Sequence, residues 1–125
     1  MDQRFRWSDR LHRQSDFTTV FKQGQRYSAS GLTLWVYRPT QETQQGPRLG
    51  LAIPSTYGHA VARNRLKRLI REIFRLHKSL LPRGVDLVFS ARTFIPQLRY
   101  QTLEVVVKNL WHKAKLIDLP SQSVS

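Results

Sequence analysis

The chain has 125 residues, 40% of them hydrophobic, which suits one folded domain with a core and leaves too little for two. Its 21 Lys and Arg against 8 Asp and Glu give a net charge of +13, which argues against a cationic partner and favours a polyanion: nucleic acid first, an anionic membrane surface second. No apolar run approaches the ~20 residues of a membrane span, and the segment MDQRFRWSDR lacks the apolar stretch of a signal peptide. The lack of cysteine removes disulfides and thiolate metal sites and fits a reducing, cytoplasmic setting.

In chain order, Met1 to Asp9 is polar and reads as a loose start. Ser15 is placed to cap a short helix over Asp16 to Lys22, closed by Gly24, with Phe17, Val20 and Phe21 on its apolar side. From Tyr27 to Tyr37 the composition turns to Ser, Thr, Leu, Val and aromatics. There Leu32, Leu34 and Val36 alternate with Thr33, Trp35 and Tyr37, the pattern of a strand with two distinct faces. Pro39 to Pro47 is a polar connection, and Leu49, Leu51 and Ile53 mark a strand that Pro54 stops. A long helix follows Gly58 and ends before Pro82-Arg83-Gly84. Val85 to Ala91 is a strand whose unbroken apolar run predicts a central place in the sheet. A last helix runs from about Arg99 to Ile117, burying Leu103, Val106, Val107, Leu110 and Ala114, and Leu119 to Ser125 is a polar tail. The order α-β-β-β-α-β-α gives an α+β sandwich, helices packed on a four-stranded mixed sheet, as a single domain over residues 1–125 with its folded core at about 11–117.

The long helix carries the strongest functional signal. His59 to Lys78 holds seven bases, Arg63, Arg65, Lys67, Arg68, Arg71, Arg75 and Lys78, and one acid, Glu72. At about 100° per residue, Lys67, Arg68, Arg71, Arg75 and Lys78 share one flank, and Ala62, Leu66, Leu69, Ile70, Ile73 and Leu76 fill the other. A solvated surface helix ordinarily interleaves acids at i+4, whereas Lys67–Arg71 and Arg71–Arg75 set like charges together. That arrangement points to nucleic acid. Arg63 and Arg65 flank Asn64 in the first turns, where free N–H groups also favour an anion. The Asn64 amide can serve a phosphate, a base or a hydrated metal ion.

Phe17 and Phe21 lie one helical turn apart, and Trp35 and Tyr37 share the strand face opposite Leu32, Leu34 and Val36. The four rings either line a cleft on which unpaired bases stack or form a plain second core. Catalytic residues are not indicated. His12, His59, His77 and His112 lack zinc-ligand spacing, the acids lack a two-metal cluster, and no Gly-rich phosphate loop is present. His59 and His77 read as surface residues.

The segment Gly58-His59-Ala60-Val61-Ala62-Arg63-Asn64-Arg65-Leu66-Lys67-Arg68, with Arg71-Glu72 and Phe74, closely resembles the signature of the protein subunit of bacterial ribonuclease P. Asp16-Phe17, Val20-Phe21-Lys22, Gly24 and Arg48-Leu49-Gly50-Leu51 extend the resemblance, which covers roughly Leu11 to Ile117. It implies the fold of elongation factor G domain IV, with a left-handed crossover between two parallel strands. It also implies a role: a catalytic RNA cuts precursor tRNA at its 5′ end with Mg2+, and the protein, without an obligate protein partner, binds that RNA and the single-stranded 5′ leader. By the same resemblance Arg63, Asn64, Arg65, Lys67, Arg68 and Arg71 face the catalytic RNA, while Phe17, Phe21 and Trp35 line the leader cleft with Tyr37 beside them. One departure stands out: Ser55 and Thr56 occupy the place of a lysine pair common in the family, and Arg26 or Arg38 is then the expected substitute. A ribosomal RNA-binding protein, which needs no aromatic cleft, is the rival reading; a protein-only nuclease would need the clustered acids or histidines that are missing.

Overall fold

The computed structural model describes residues 5–39 and 46–117. Three helices, α1 (Gln14–Gln23), α2 (Ala60–His77) and α3 (Tyr100–Lys113), accompany four strands, β1 (Gln25–Ala29), β2 (Leu32–Tyr37), β3 (Arg48–Leu51) and β4 (Asp86–Ser90). They follow one another as α1-β1-β2-β3-α2-β4-α3, and the sheet order is β1-β2-β4-β3. β1/β2 and β2/β4 are antiparallel and β3/β4 is parallel, so the sheet is mixed, with α2 in the connection between its two parallel strands.

β4 is central, as its apolar run requires: Leu87, Val88 and Phe89 are all fully buried, two facing one layer of helices and one the other. On β2, Leu32, Leu34 and Val36 face the main core with Leu66, Ile70, Ile73 and Phe74 of α2 and Leu103, Val107, Leu110 and Trp111 of α3. Thr33, Trp35 and Tyr37 turn to the opposite face and are half-buried. α1 covers that face, where Leu11, Val20 and Val88 form a smaller cluster with Phe17, Trp35, Tyr37 and Ala52 packed around it. The protein is thus a sandwich with α2 and α3 on one side and α1 on the other.

Several local features depart from the sequence expectations. The cap of α1 is Arg13, without a side-chain hydrogen bond, and Ser15 lies inside the helix, where its carbonyl accepts from the Thr19 hydroxyl. Gly24 does close the helix, its N–H donating to the Val20 carbonyl at 2.8 Å. A Cβ there would fall 2.5 Å from the Val20 oxygen and 2.7 Å from the Val36 oxygen, so only glycine lets α1 turn directly into the sheet. Ser30 (φ 51°) and Gly31 (φ 85°) make a tight turn that splits residues 25–37 into a hairpin. β1 lacks apolar alternation because its outer positions are exposed at a sheet edge, leaving little pattern to find.

The first residues are more engaged than their polarity suggested. Phe5 meets Phe74 edge-on, with ring centroids 5.7 Å apart, and Leu11 N–H donates to the Leu49 carbonyl, holding the N-terminal segment along β3. Residues 1–4, most of the Pro39–Pro47 connection and the tail from 118 onward lie outside the described residues. On α3, Val106 is half-buried, and the fully buried residue that the pattern missed is Trp111.

Among the described residues the one buried charged side chain is Asp86, and half-buried Arg48 partners it. Asp86 on β4 lies directly across from Arg48 on β3 and accepts a bidentate hydrogen bond, 2.9 Å in both arms. Asp86, chiefly through that hydrogen bond, raises the Arg48 pKa against the lowering effect of burial. The pair pins the parallel strands in register at the end nearest α1, where Asp16 also approaches Arg48.

Candidate functional site

α2 presents its apolar stripe inward through Leu66, Ile70, Ile73 and Phe74, all fully buried, which fixes where its cations point. Asn64, Arg65, Arg68 and Arg71 are exposed, and Arg63 and Lys67 are half-buried. The five cations among them fall into two groups. Arg63 donates to the Gly58 carbonyl and Arg65 to the Leu98 carbonyl, both at 2.6 Å, so these two guanidiniums brace the start of the helix. Lys67, Arg68 and Arg71 have no acidic partner among the described residues. Arg71 is instead partly desolvated and faces Arg10, and these two effects, in that order, lower its pKa from the ordinary guanidinium value. A fold that gathers like charges in this way is relieved by an anion.

The outer end of the cationic flank is less available than the helical wheel suggests. Arg75 pairs with Glu72, and Lys78 reaches Asp9 at 2.9 Å. His77 is not a free surface residue: its Nε2 lies 2.7 Å from the Glu104 carboxylate on α3. Burial pushes the Glu104 pKa up, but the His77 hydrogen bond, the Lys108 charge and the Tyr100 hydroxyl outweigh it and hold the carboxyl below its ordinary value. The Lys78 and His77 contacts tie the end of α2 to its neighbours, and together with the Arg75–Glu72 pair they leave the middle of the helix as its open cationic stretch.

The aromatic residues meet on the α1 side of the sheet. Trp35 and Gly50 both lie across from Val88, forming one row over three strands. Phe17 lies directly over Gly50: a Cβ at that glycine would come within 2.7 Å of the Phe17 ring. Phe21, 37% exposed, stands edge-on to Trp35 with centroids 5.2 Å apart. Tyr37 joins the same cluster and borders a cavity of about 400 Å³ shared with Gln23, Arg38 and Lys115. The four rings therefore gather on the α1 face of the sheet, with Phe17, Trp35 and Tyr37 half-buried around a small core and Phe21 exposed beside Trp35.

Gly50 is the position on which this packing depends. Gly50→Ala should displace Phe17, costing about 1–3 kcal/mol as overpacking commonly does. A urea titration compared with wild type checks it, and an unchanged midpoint would mean that the ring moves freely.

A cation also borders the aromatic cluster. Arg26 places its guanidinium 5.9 Å from the centre of the Trp35 ring, within cation–π range, whereas Arg38 is occupied with the Ala114 carbonyl at 2.8 Å. Of the two expected substitutes for the lysine pair, Arg26 is thus the one lying on a cleft ring. Ser55 and Thr56 are exposed in a 3₁₀ turn just before α2. Among the described residues, no three His, Asp or Glu side chains form a group that could hold a metal ion, and no helix is long and apolar enough to cross a membrane.

An α+β sandwich with an open cationic stretch along the middle of its basic helix on one layer and a cluster of aromatic rings on the other has the make-up of a small basic protein of ribonucleoprotein type. The Ribonuclease P family model matches residues 5–115. The chain is 33% identical to the ribonuclease P protein component of Clostridium acetobutylicum over 94% of its own length and 98% of the relative's. It is 39% identical to that of Brevibacillus brevis over 93% and 88%. Among solved structures, the RNase P protein of Thermotoga maritima superposes with a TM-score of 0.71 at 28% identity, covering 83% of this chain and 96% of that one. The Staphylococcus aureus RNase P protein gives 0.77 over 88% and 98%, at 24% identity, and so speaks for the fold. The chain belongs to the bacterial ribonuclease P protein family: it is a protein subunit of the ribonucleoprotein that processes tRNA.

Proposed function

We propose that this subunit binds the catalytic RNA of ribonuclease P along α2 and holds the single-stranded 5′ leader of precursor tRNA in the cleft between α1 and the sheet. The observation that carries the reading is the set Lys67, Arg68 and Arg71, exposed or half-exposed and without an acidic partner among the described residues. Each can replace a counterion on an RNA phosphate, and release of those ions drives binding. Phosphates neutralised by protein need fewer metal ions, so the subunit lowers the Mg2+ that the RNA requires to fold and to bind substrate. The cleavage chemistry and its Mg2+ belong to the RNA, and the protein works in the cytoplasm.

The cleft serves the leader because its rings offer apolar faces without a base-specific set of donors. Arg26 over Trp35 supplies a cation for the leader backbone in place of the lysine pair. Asn64, exposed between two braced arginines, contacts the catalytic RNA with them.

The test is cleavage of precursor tRNA by the catalytic RNA of the same organism at low-millimolar Mg2+, with and without the protein. Protein-dependent cleavage is expected; its failure, with the RNA active in high Mg2+ and the protein folded, would overturn the reading. With the complete enzyme, Phe17→Ala should weaken binding of leader-bearing precursor about tenfold, as loss of one stacked base does, and leave mature tRNA binding unchanged. Equal loss for both substrates would remove the leader from the cleft.

A further inference from the structure

A second apolar hollow lies outside the aromatic cleft. It is a groove of about 670 Å³ between the start of α2 and the loop of residues 91–99 that joins β4 to α3, lined by Tyr57, Val61, Ala62, Arg65, Phe94 and Leu98. Two of these side chains are unusually open for their type: Val61 is 82% exposed and Phe94 56%. Isolated apolar side chains on a surface mean little, but here they face a common groove.

The groove is built and held. Tyr57, only 2% exposed, supports the Phe94 ring with centroids 5.7 Å apart, and its hydroxyl accepts from Ile95 N–H at 3.4 Å. Phe94 also lies over Gly58, where a Cβ would come within 3.8 Å of its ring edge. Arg65 reaches across to the Leu98 carbonyl at 2.6 Å, fastening the loop to the helix. One edge of Phe94 is thus fixed by the protein while over half of the residue stays in solvent, as a stacking platform requires.

The charge around the groove selects the occupant. From Pro54 to Arg71, and from Leu87 to Leu103, the chain contains no acid, while Arg63, Arg65, Lys67, Arg68, Arg71, Arg92 and Arg99 fall within those stretches. An apolar partner surface from another protein would need acids of its own to sit there. A flat aromatic ring carrying phosphates on either side meets both requirements. We infer that this groove receives an unpaired nucleobase of the ribonuclease P RNA subunit, stacked on Phe94 and resting against Val61, with its flanking phosphates among the cations at the start of α2. The inference rests on the assignment of α2 to the RNA subunit, because the groove opens beside Arg65 on that helix and is lined by none of the residues of the α1 cleft.

The experiment measures equilibrium binding of the RNA subunit by the full chain carrying Phe94→Ala, Phe94→Trp or Arg68→Glu, with thermal unfolding as the check on folding. Phe94→Ala is expected to lower affinity about tenfold, with the salt dependence unchanged because no phosphate contact is lost. Phe94→Trp should bind at least as well as wild type. Wild-type affinity for Phe94→Ala beside weakened Arg68→Glu would overturn the groove while leaving α2 on the RNA. Wild-type affinity for both would remove the α2 assignment, and the groove with it. Loss of leader-oligonucleotide binding alone, or loss of self-association alone, would assign the groove to the substrate or to a second copy and equally overturn the proposal.

Discussion

Reversing charge at the middle of α2, with Arg68→Glu and Arg71→Glu together, should lower affinity for the catalytic RNA by 100-fold or more. Both side chains are exposed, lie three residues apart on one flank, and have no acidic partner among the described residues. A charge-assisted contact contributes about 1.5–3 kcal/mol, so two lost contacts amount to at least about 3 kcal/mol, or roughly 100-fold, before repulsion from the new carboxylates is added. The slope of log affinity against log salt should fall by about 1.4–1.8, because two phosphate contacts disappear. Folding should be nearly unaffected, since removing Arg71 also relieves its repulsion with Arg10. The same double reversal at Arg75 and Lys78 should give a different pattern. Those side chains hold Glu72 and Asp9, so stability falls along with binding. Filter binding at several salt concentrations decides between the two; an unchanged slope for Arg68 and Arg71 would mean that neither touches a phosphate.

How much of this was legible in the sequence depended on whether a signal was periodic. The apolar stripe of α2, the alternation of β2 and the unbroken run of β4 each come from a repeat whose period the geometry imposes, and each element stands where that repeat put it. The helix wheel also separated buried Leu66 and Ile70 from exposed Arg68 and Arg71. What it could not supply was the partner of each cation. That Lys78 finds Asp9 and His77 finds Glu104 depends on elements 69 and 27 residues away, which no local pattern encodes. Ser15 misled for a related reason: a capping residue type sits two residues too late, and the chain starts the helix at Gln14 without a side-chain cap. The aromatic pairs did converge, because Phe17 and Phe21 share a helix face and Trp35 and Tyr37 a strand face. Yet it took Gly50, a missing side chain, to show how closely α1 lies on the sheet. Phe94 went unremarked because its loop has no period to reveal it.

Trp111→Ala should be the most damaging single change to folding, costing about 3–5 kcal/mol, the range for removing a large buried ring. Trp111 is fully buried in the main core where α3 meets the sheet and α2, so its loss leaves a cavity on the side that supports the basic helix. Against a total stability of about 5–15 kcal/mol for a domain of this kind, that loss brings the fold near its midpoint. Trp111→Phe should cost much less. The indole Nε1 is buried without a hydrogen-bond partner among the described residues, so the smaller ring gives up packing but also removes an unsatisfied donor. Urea unfolding followed by circular dichroism separates the variants, and equal losses would mean that the indole N–H has a role of its own. The Ala variant also couples stability to function. Its cationic face is chemically intact, and a ligand that binds only the folded state stabilises it by about 2.7 kcal/mol at 100 times its dissociation constant. Catalytic RNA should therefore restore most of the lost stability to Trp111→Ala, but little when Arg68 and Arg71 are also reversed in that variant. A chain of net charge +13 would thus owe part of its working stability to the RNA that neutralises it.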